Sequence, residues 1–235
     1  MTIVIQTPPL MPSILAMVKR VKREVGLPTP TTLVNTSDQV SLVALSALND
    51  ACTEIYGRAK WEWKQSLYAF ALVAGTTQYP VPADFERECI SPKAAGYPIT
   101  GLTQEEWQQI IPSSTAQAGS PIYYSIHGYI FEVWPSPSTD YVTAYPTLPF
   151  VYYRKPPKRL DGSDDNANLN LPPEFEDCIN SYAKWRVKSF LEYPDAADDH
   201  SKYEQALQVQ LNASRAMRKA PRMRRGGPVS AKIWS

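Results

Sequence analysis

Apolar residues recur at helical spacing near both ends of the chain and at alternate positions in its middle. In residues 13–25, SILAMVKRVKREV, Ile14, Val18, Val21 and Val25 fall on one face, and Lys19, Arg20, Lys22 and Arg23 fall mostly on the other. That spacing predicts an amphipathic helix stopped by Gly26 and Pro28. Its basic face reads as solvated surface, or else as the complement of an acidic partner or of phosphates. A second helix is predicted over 37–57, capped by Ser37 or Asp38, with a stripe of Val40, Val43, Leu48, Cys52 and Ile55 and with Gly57 near its end.

The period then changes to two. In QSLYAFALV, 65–73, Leu67, Ala69 and Ala71 alternate with Tyr68, Phe70 and Leu72, the pattern of a strand whose two faces both meet something. GTTQYPVPADF follows as a turn and a short edge strand. IYYSI and YIFEVW are predicted to form a hairpin turning at His127-Gly128, where glycine supplies a positive φ. A last strand pair is expected within 141–154, interrupted by Pro146 and Pro149.

Helical spacing resumes after the acidic, Asn-rich loop 161–170. Pro172-Pro173 opens a helix in which Phe175, Ile179, Tyr182, Arg186 and Phe190 recur, and a break at Tyr193-Pro194-Asp195 leads to a fourth with Tyr203, Leu207, Leu211 and Ser214 on one face. Each amphipathic pair must bury its stripe, so the simplest packing is an α+β fold, a four-helix bundle with an antiparallel β-domain inserted between its second and third helices. The boundaries read as 1–60 and 159–214 for the two helical halves, 61–158 for the β-domain and 215–235 for an extended basic tail.

Charge sharpens that last boundary. Of 24 basic residues seven lie at the end, Arg215, Arg218, Lys219, Arg222, Arg224, Arg225 and Lys232, where no acidic residue occurs. The preceding chain therefore holds 17 basic residues against 23 acidic ones, and a net charge of +1 hides an acidic body with a cationic interaction tail. Pro221, Gly226, Gly227 and Pro228 oppose a helix there, and too few apolar residues are present for a private core. With 22 Pro, 14 Tyr and 6 Trp in 235 residues, the composition is that of a β-rich globular chain with many turns. No apolar run approaches a membrane span, and the first residues, MTIVIQTPPLMPS, lack the basic start and cleavage site of a secretory leader.

Little in the sequence points to catalysis. It contains no phosphate-binding glycine loop, no GxSxG and no HExxH. Cys52, Cys89 and Cys178 are too few and too scattered for a disulfide framework or a zinc site, and read as buried thiols. His127 and His200 stand alone. The loop DGSDDNANLN resembles a calcium loop in composition, but its glycine and glutamate positions do not fit, and an Asx-rich turn explains it better. Glu86 and Glu88 flank an apolar stretch without a motif that would pair them as acid and base. No enzyme, cofactor or metal is expected.

The order TQYPVPADF (77–85), GSPIYYSIHGYIFEVWPSPS (119–138), YYRKPPKRL (152–160) and LNLPPEF (169–175) resembles the head-to-tail adaptor proteins of tailed phages, above all the tail-tubular or connector type of short-tailed phages. The likeness covers about 30–215; residues 1–28 and the basic end depart from it. It implies a helical bundle with an inserted β-domain, a homo-oligomeric ring of twelve copies, a portal protein above, a tail or nozzle protein below, and double-stranded DNA in the lumen. The resemblance also implies a virion component of the portal-tail vertex, assembled in the host cytoplasm. Tyr123, Tyr124, Tyr129, Trp134, Tyr152 and Tyr153 are then the expected interface aromatics, since aromatics concentrate at interface cores. The C-terminal cations, with Ile233 and Trp234, are the expected portal-docking tail. The alternative is a nucleic-acid-binding protein whose tail neutralises phosphates.

Overall fold

The computed structural model describes residues 11–111 and 117–219, with side chains to Ala216. Helices are α1 (Ile14–Glu24), α2 (Gln39–Arg58), α3 (Gln104–Ile110), α4 (Thr139–Ala144), α5 (Glu176–Phe190) and α6 (Ala196–Lys219). Strands are β1 (Gln65–Ala71), β2 (Gln78–Pro80), β3 (Phe85–Ile90), β4 (Lys93–Ala94), β5 (Tyr97–Pro98), β6 (Thr100–Gly101), β7 (Ala118–Gly119), β8 (Tyr123–His127), β9 (Ile130–Trp134), β10 (Ser136–Pro137) and β11 (Thr147–Arg154). The fold is mixed α+β. It divides into one unit of residues 1–48 and 162–235 and another of residues 49–161, the first division falling inside α2.

In the first unit, Ser13 caps α1 by accepting the Ala16 N–H at 3.3 Å. The helix ends in a Schellman turn: Gly26, at φ 79°, donates to the Arg23 carbonyl and Leu27 to that of Lys22. Ile14, Val18, Val21 and Val25 are buried as their spacing predicts. Arg23 stays exposed, but the rest of the basic face is not simply solvated. Arg20 reaches Glu176 at 2.6 Å and Asp177 at 2.7 Å in the first turn of α5, and buried Lys22 pairs with Asp38. Asp38 also caps α2, accepting the Val40 N–H at 3.2 Å. The buried stripe of α2 is rotated from the expected one, running through Ser41, Ala44, Leu45, Leu48, Ala51, Cys52 and Ile55, because alanines count as core and Val40 and Val43 are only half-buried.

Buried Phe175 sits in a 3₁₀ turn just before α5, and Ile179, Tyr182, Ala183 and Val187 form the helix's inner face, whereas Arg186 and Phe190 point outward. Tyr182 meets Tyr203 of α6 edge-on, ring centroids 5.0 Å apart. Helix α6 runs to Lys219, so Arg215, Arg218 and Lys219 are helical and the expected extended tail does not begin at 215. Five residues without Gly or Pro, Arg215 to Lys219, simply continue the α6 pattern.

A polar network joins α1, α5 and α6. Lys184 lies 2.9 Å from Glu24 and 3.6 Å from Asp199, and Lys188 lies 2.8 Å from Asp199 and 2.6 Å from Asp195. Burial opposes ionisation of Glu24 and Asp199. The lysines around both, with Arg20 and Asn180 at Glu24, nevertheless hold each carboxyl below its ordinary value of 4.5 or 3.8.

The second unit is built on two facing sheets. One has the order β1-β11-β3, all antiparallel. The other has the order β2-β9-β8-β6 and includes a parallel β6/β8 pair; β7 and β10 form a second short parallel pair, so the sheets are not wholly antiparallel as expected. Phe70 and Phe150 from the first sheet and Phe131 from the second make the centre, Phe70 stacking on Phe131 at 4.5 Å. The hairpin β8/β9 turns at Gly128-Tyr129 rather than His127-Gly128, since His127 pairs with Ile130. Gly128, at φ 59°, supplies the positive angle that the first turn position requires. The strand pair expected in 141–154 is instead α4 followed by one strand, β11. Pro149 is tolerated there because β3 pairs only from Val151 onward, leaving one side of that residue without a ladder. A capping box, Thr103 with Glu106, starts α3, a signal visible as TQEE but too short to stand out.

The end of α2 belongs to this unit through a cluster of Tyr56, Trp61, Trp63 and Lys64. Trp61 donates from Nε1 to the Ile55 carbonyl at 2.6 Å. Lys64, 1% exposed, donates to the Tyr56 carbonyl at 2.8 Å and to Glu86 at 2.7 Å.

Two outcomes test this packing. Ile179→Ala should cost about 2–5 kcal/mol in denaturant unfolding through the cavity it leaves, with Phe175→Ala at the upper end. The depressed carboxyls make the network's stabilisation complete above pH 4.5 and progressively lost as the pH falls through 3.8 and below. Asp199→Asn should therefore lower the unfolding midpoint at neutral pH and flatten its decline on acidification.

Candidate functional site

Among the described residues no group of His, Cys, Asp and Glu is arranged to hold a metal ion, and no helix is long and apolar enough to cross a membrane. The carboxylates singled out in the sequence have structural partners. Glu86 meets Lys64, and Glu88 accepts from the Tyr124 hydroxyl, whose ionisation is pushed up by burial and by that carboxylate. In the Asn-rich loop Asp165 accepts the Leu33 N–H at 2.7 Å and the Thr32 hydroxyl at 2.6 Å, and Asp164 accepts the Asn166 N–H at 2.9 Å. His127 closes strand β8, its Nε2 3.6 Å from Glu132, and His200 lies against Trp185. Cys52 and Cys178 are buried thiols while Cys89 is half-buried; burial pushes Cys52 up to about 12, far from a thiolate.

What the molecule offers instead is surface. Of the six expected interface aromatics, three are core. Tyr124 stacks on Phe131 at 5.5 Å, Tyr152 lies between Phe85 and Phe150 and donates to Asp84 at 2.7 Å, and Tyr153 is buried with the Arg87 guanidinium over its ring. The other three are accessible. Tyr129 at the hairpin turn is 63% exposed, with the Lys155 ammonium 4.7 Å above its ring. Tyr123 and Trp134 are cross-strand partners, half-buried, their rings 6.1 Å apart. Trp134 also lines a groove of about 310 Å³ with Thr77, Trp107, Ile111 and Val133.

Of the expected docking tail, Arg215 is exposed on α6 and Arg218 and Lys219 are in the same helix. Arg222, Arg224, Arg225, Lys232, Ile233 and Trp234 lie outside the described residues.

The sequence reading missed a second surface, the outer face of the three-stranded sheet. Leu67, Val151 and Ile90 stand in register across β1, β11 and β3, with Leu67 71% and Ile90 55% exposed. Ala69 and Pro149 lie beside them in the next pair of β1 and β11. The alternation in QSLYAFA implies that this face meets something; within the described subunit it does not. The signal was in the sequence, but its inner and outer faces could not be told apart there.

A model of the SU10 adaptor protein family matches residues 12–230. The chain belongs to that family. SU10 adaptors are a phage head-tail adaptor family, which agrees with the resemblance read from the motifs. The match begins well before residue 30 and runs through much of the basic end, so only residues 1–11 and 231–235 fall outside it. Among curated proteins, none matches the chain. For this SU10 adaptor the aromatic surface separates by burial. Tyr124→Ala should destabilise the isolated subunit by about 3–5 kcal/mol. Tyr129→Ala should stay within about 0.5 kcal/mol of the parent in the same unfolding measurement, as an exposed side chain should.

Proposed function

We propose that this SU10 adaptor is the structural subunit of a ring at the head-to-tail vertex of the virion, set between the portal protein and a tail or nozzle protein. The lumen continues the passage for the double-stranded genome. The observation that carries the reading is the family match over 12–230. The likeness to short-tailed phage connectors implies twelve copies, with α1, α2, α5 and α6 as a four-helix bundle and the β unit as its insertion. The role asks for no nucleophile or cofactor. It asks for broad complementary surfaces, since head-to-tail contacts between identical subunits close into a ring when the rotation permits. Tyr129, Tyr123 and Trp134 supply aromatic area for contact with the next subunit or tail component.

An acidic body suits a channel through which DNA must slide, because cations lining it would neutralise phosphates and hold the strand. The cations concentrated toward the C-terminus then meet acidic or carbonyl groups of the portal, with Trp234 as an apolar anchor.

Deleting residues 220–235 tests the role. The shortened subunit should keep its unfolding midpoint and lose attachment to portal particles in electron micrographs. Normal portal occupancy by the shortened subunit would overturn the docking role. A subunit that keeps portal attachment but loses salt-dependent binding to DNA would instead favour the nucleic-acid-arm reading.

A further inference from the structure

Strand β1 is a sheet edge without the usual protection. Among the described residues it pairs with β11 alone, over seven residues and with no shift of register. The chain carries no charged residue between Lys64 and Asp84, and β1 has neither proline nor bulge. Exposed edges in soluble proteins are normally blunted by charge, proline, a bulge or brevity, because their free N–H and C=O groups template another strand. The other edges here follow that rule. β3 carries Glu86, Arg87 and Glu88 and pairs with two register shifts, β2 is three residues ending at Pro80, and β6 is two residues long. The unprotected edge borders the bare row of Leu67, Val151 and Ile90. Edge and row together have the form of a β-augmentation site, where main-chain hydrogen bonds supply affinity and alternate side chains supply fit.

The chain itself contains the matching strand. Residues 2–7 read Thr-Ile-Val-Ile-Gln-Thr: five of the six are β-branched, none is charged, and Pro8-Pro9 follows at once. These residues precede the family match at 12, so the family's shared features do not account for them. We infer that residues 2–7 of one copy add as a strand to the free edge of β1 in the next copy, with Ile3 and Ile5 extending the Leu67–Val151–Ile90 row. Six residues against an edge of seven is a fitted length, and the prolines end the ladder because they have no N–H to donate. Donor and acceptor are different parts of the chain, so each copy gives one strand and receives one. That contact is heterologous and one-directional, the type that a closed ring requires. The inference rests on the ring reading above and assigns it one interface.

Two variants of the full chain test it. One lacks residues 2–7 and can only accept; the other carries Leu67→Lys, an exposed position, and can only donate. Each alone should self-associate at least about tenfold more weakly than the parent in light scattering, with unchanged unfolding midpoints. Mixed one to one, they should form a heterodimer that grows no further. Variants that assemble like the parent, or a mixture that stays monomeric, would overturn strand exchange, the second outcome also covering a strand that docks within its own copy. The ring reading is judged separately, by whether the parent chain forms rings and attaches to portal particles.

Discussion

The β unit is held at its entrance by a pair of hydrogen bonds. The Asn49 side chain donates from Nδ2 to the Leu160 carbonyl at 2.9 Å and accepts the Leu160 N–H on Oδ1 at 2.8 Å, while Arg159 reaches Asp50 at 2.7 Å. A segment inserted between two helices can fold as one body only if its ends are brought together, and closing so long a loop costs chain entropy. Asn49 is buried, so its amide would be costly without both partners. A side-chain amide that presents donor and acceptor to one residue's N–H and C=O fixes the chain's return without a further turn of structure. The cluster around Lys64 adds to this. Its ammonium is almost wholly removed from water and is compatible with burial only because Glu86 and the Tyr56 carbonyl satisfy it. Entrance and core are thus fixed by polar groups whose geometry leaves little freedom, and the aromatic centre of Phe70, Phe131 and Phe150 fills the space between the sheets.

This explains which parts of the fold were legible. Long elements with one buried face were readable, because the period of Ile14, Val18, Val21 and Val25, or of Phe175, Ile179 and Tyr182, is imposed by a single contact. The short elements were not. A stretch such as Ser136-Pro137 pairs in parallel with Ala118-Gly119 because of where the chain has been carried, and no local pattern records that. Pro149 reads as a strand breaker but sits where its missing N–H has no partner to lose. The C-terminal part of α2 looks like the rest of a helix in sequence; only the aromatic and amide contacts that begin at Asn49 assign it to the β unit.

The surface was legible in composition and not in detail. An excess of tyrosine and tryptophan announces contact area, yet Tyr124 and Tyr152 are needed inside to accept and donate hydrogen bonds among packed rings, whereas Tyr129 is left outside by a two-residue turn. Alternation in β1 says that two faces exist and cannot say which of them the subunit covers. The cations behave in the same way. In α1 a basic face looks like solvated surface, but Arg20 and Lys22 are drawn to Glu176, Asp177 and Asp38 by the packing of the elements that carry them.

The internal pairing bears on how charge is divided along the chain. Lys22, Lys64, Lys184 and Lys188 all have carboxylate partners inside their own units, so these cations are committed to the fold. With 23 acidic residues against 17 basic ones before residue 215, the acids left over give the body its negative field. A neutral chain in which both signs were mixed would have no such field and no preferred end. In the proposed ring that separation would serve two tasks, an acidic surface that DNA passes without being held and a cationic segment aimed at a partner. Charge by itself selects poorly among partners, because attraction between exposed groups is broad and screened by salt. In the proposed assembly position comes from shape, through strand pairing along an edge whose hydrogen-bond spacing admits few registers, and through the aromatic Trp234 near the chain's end.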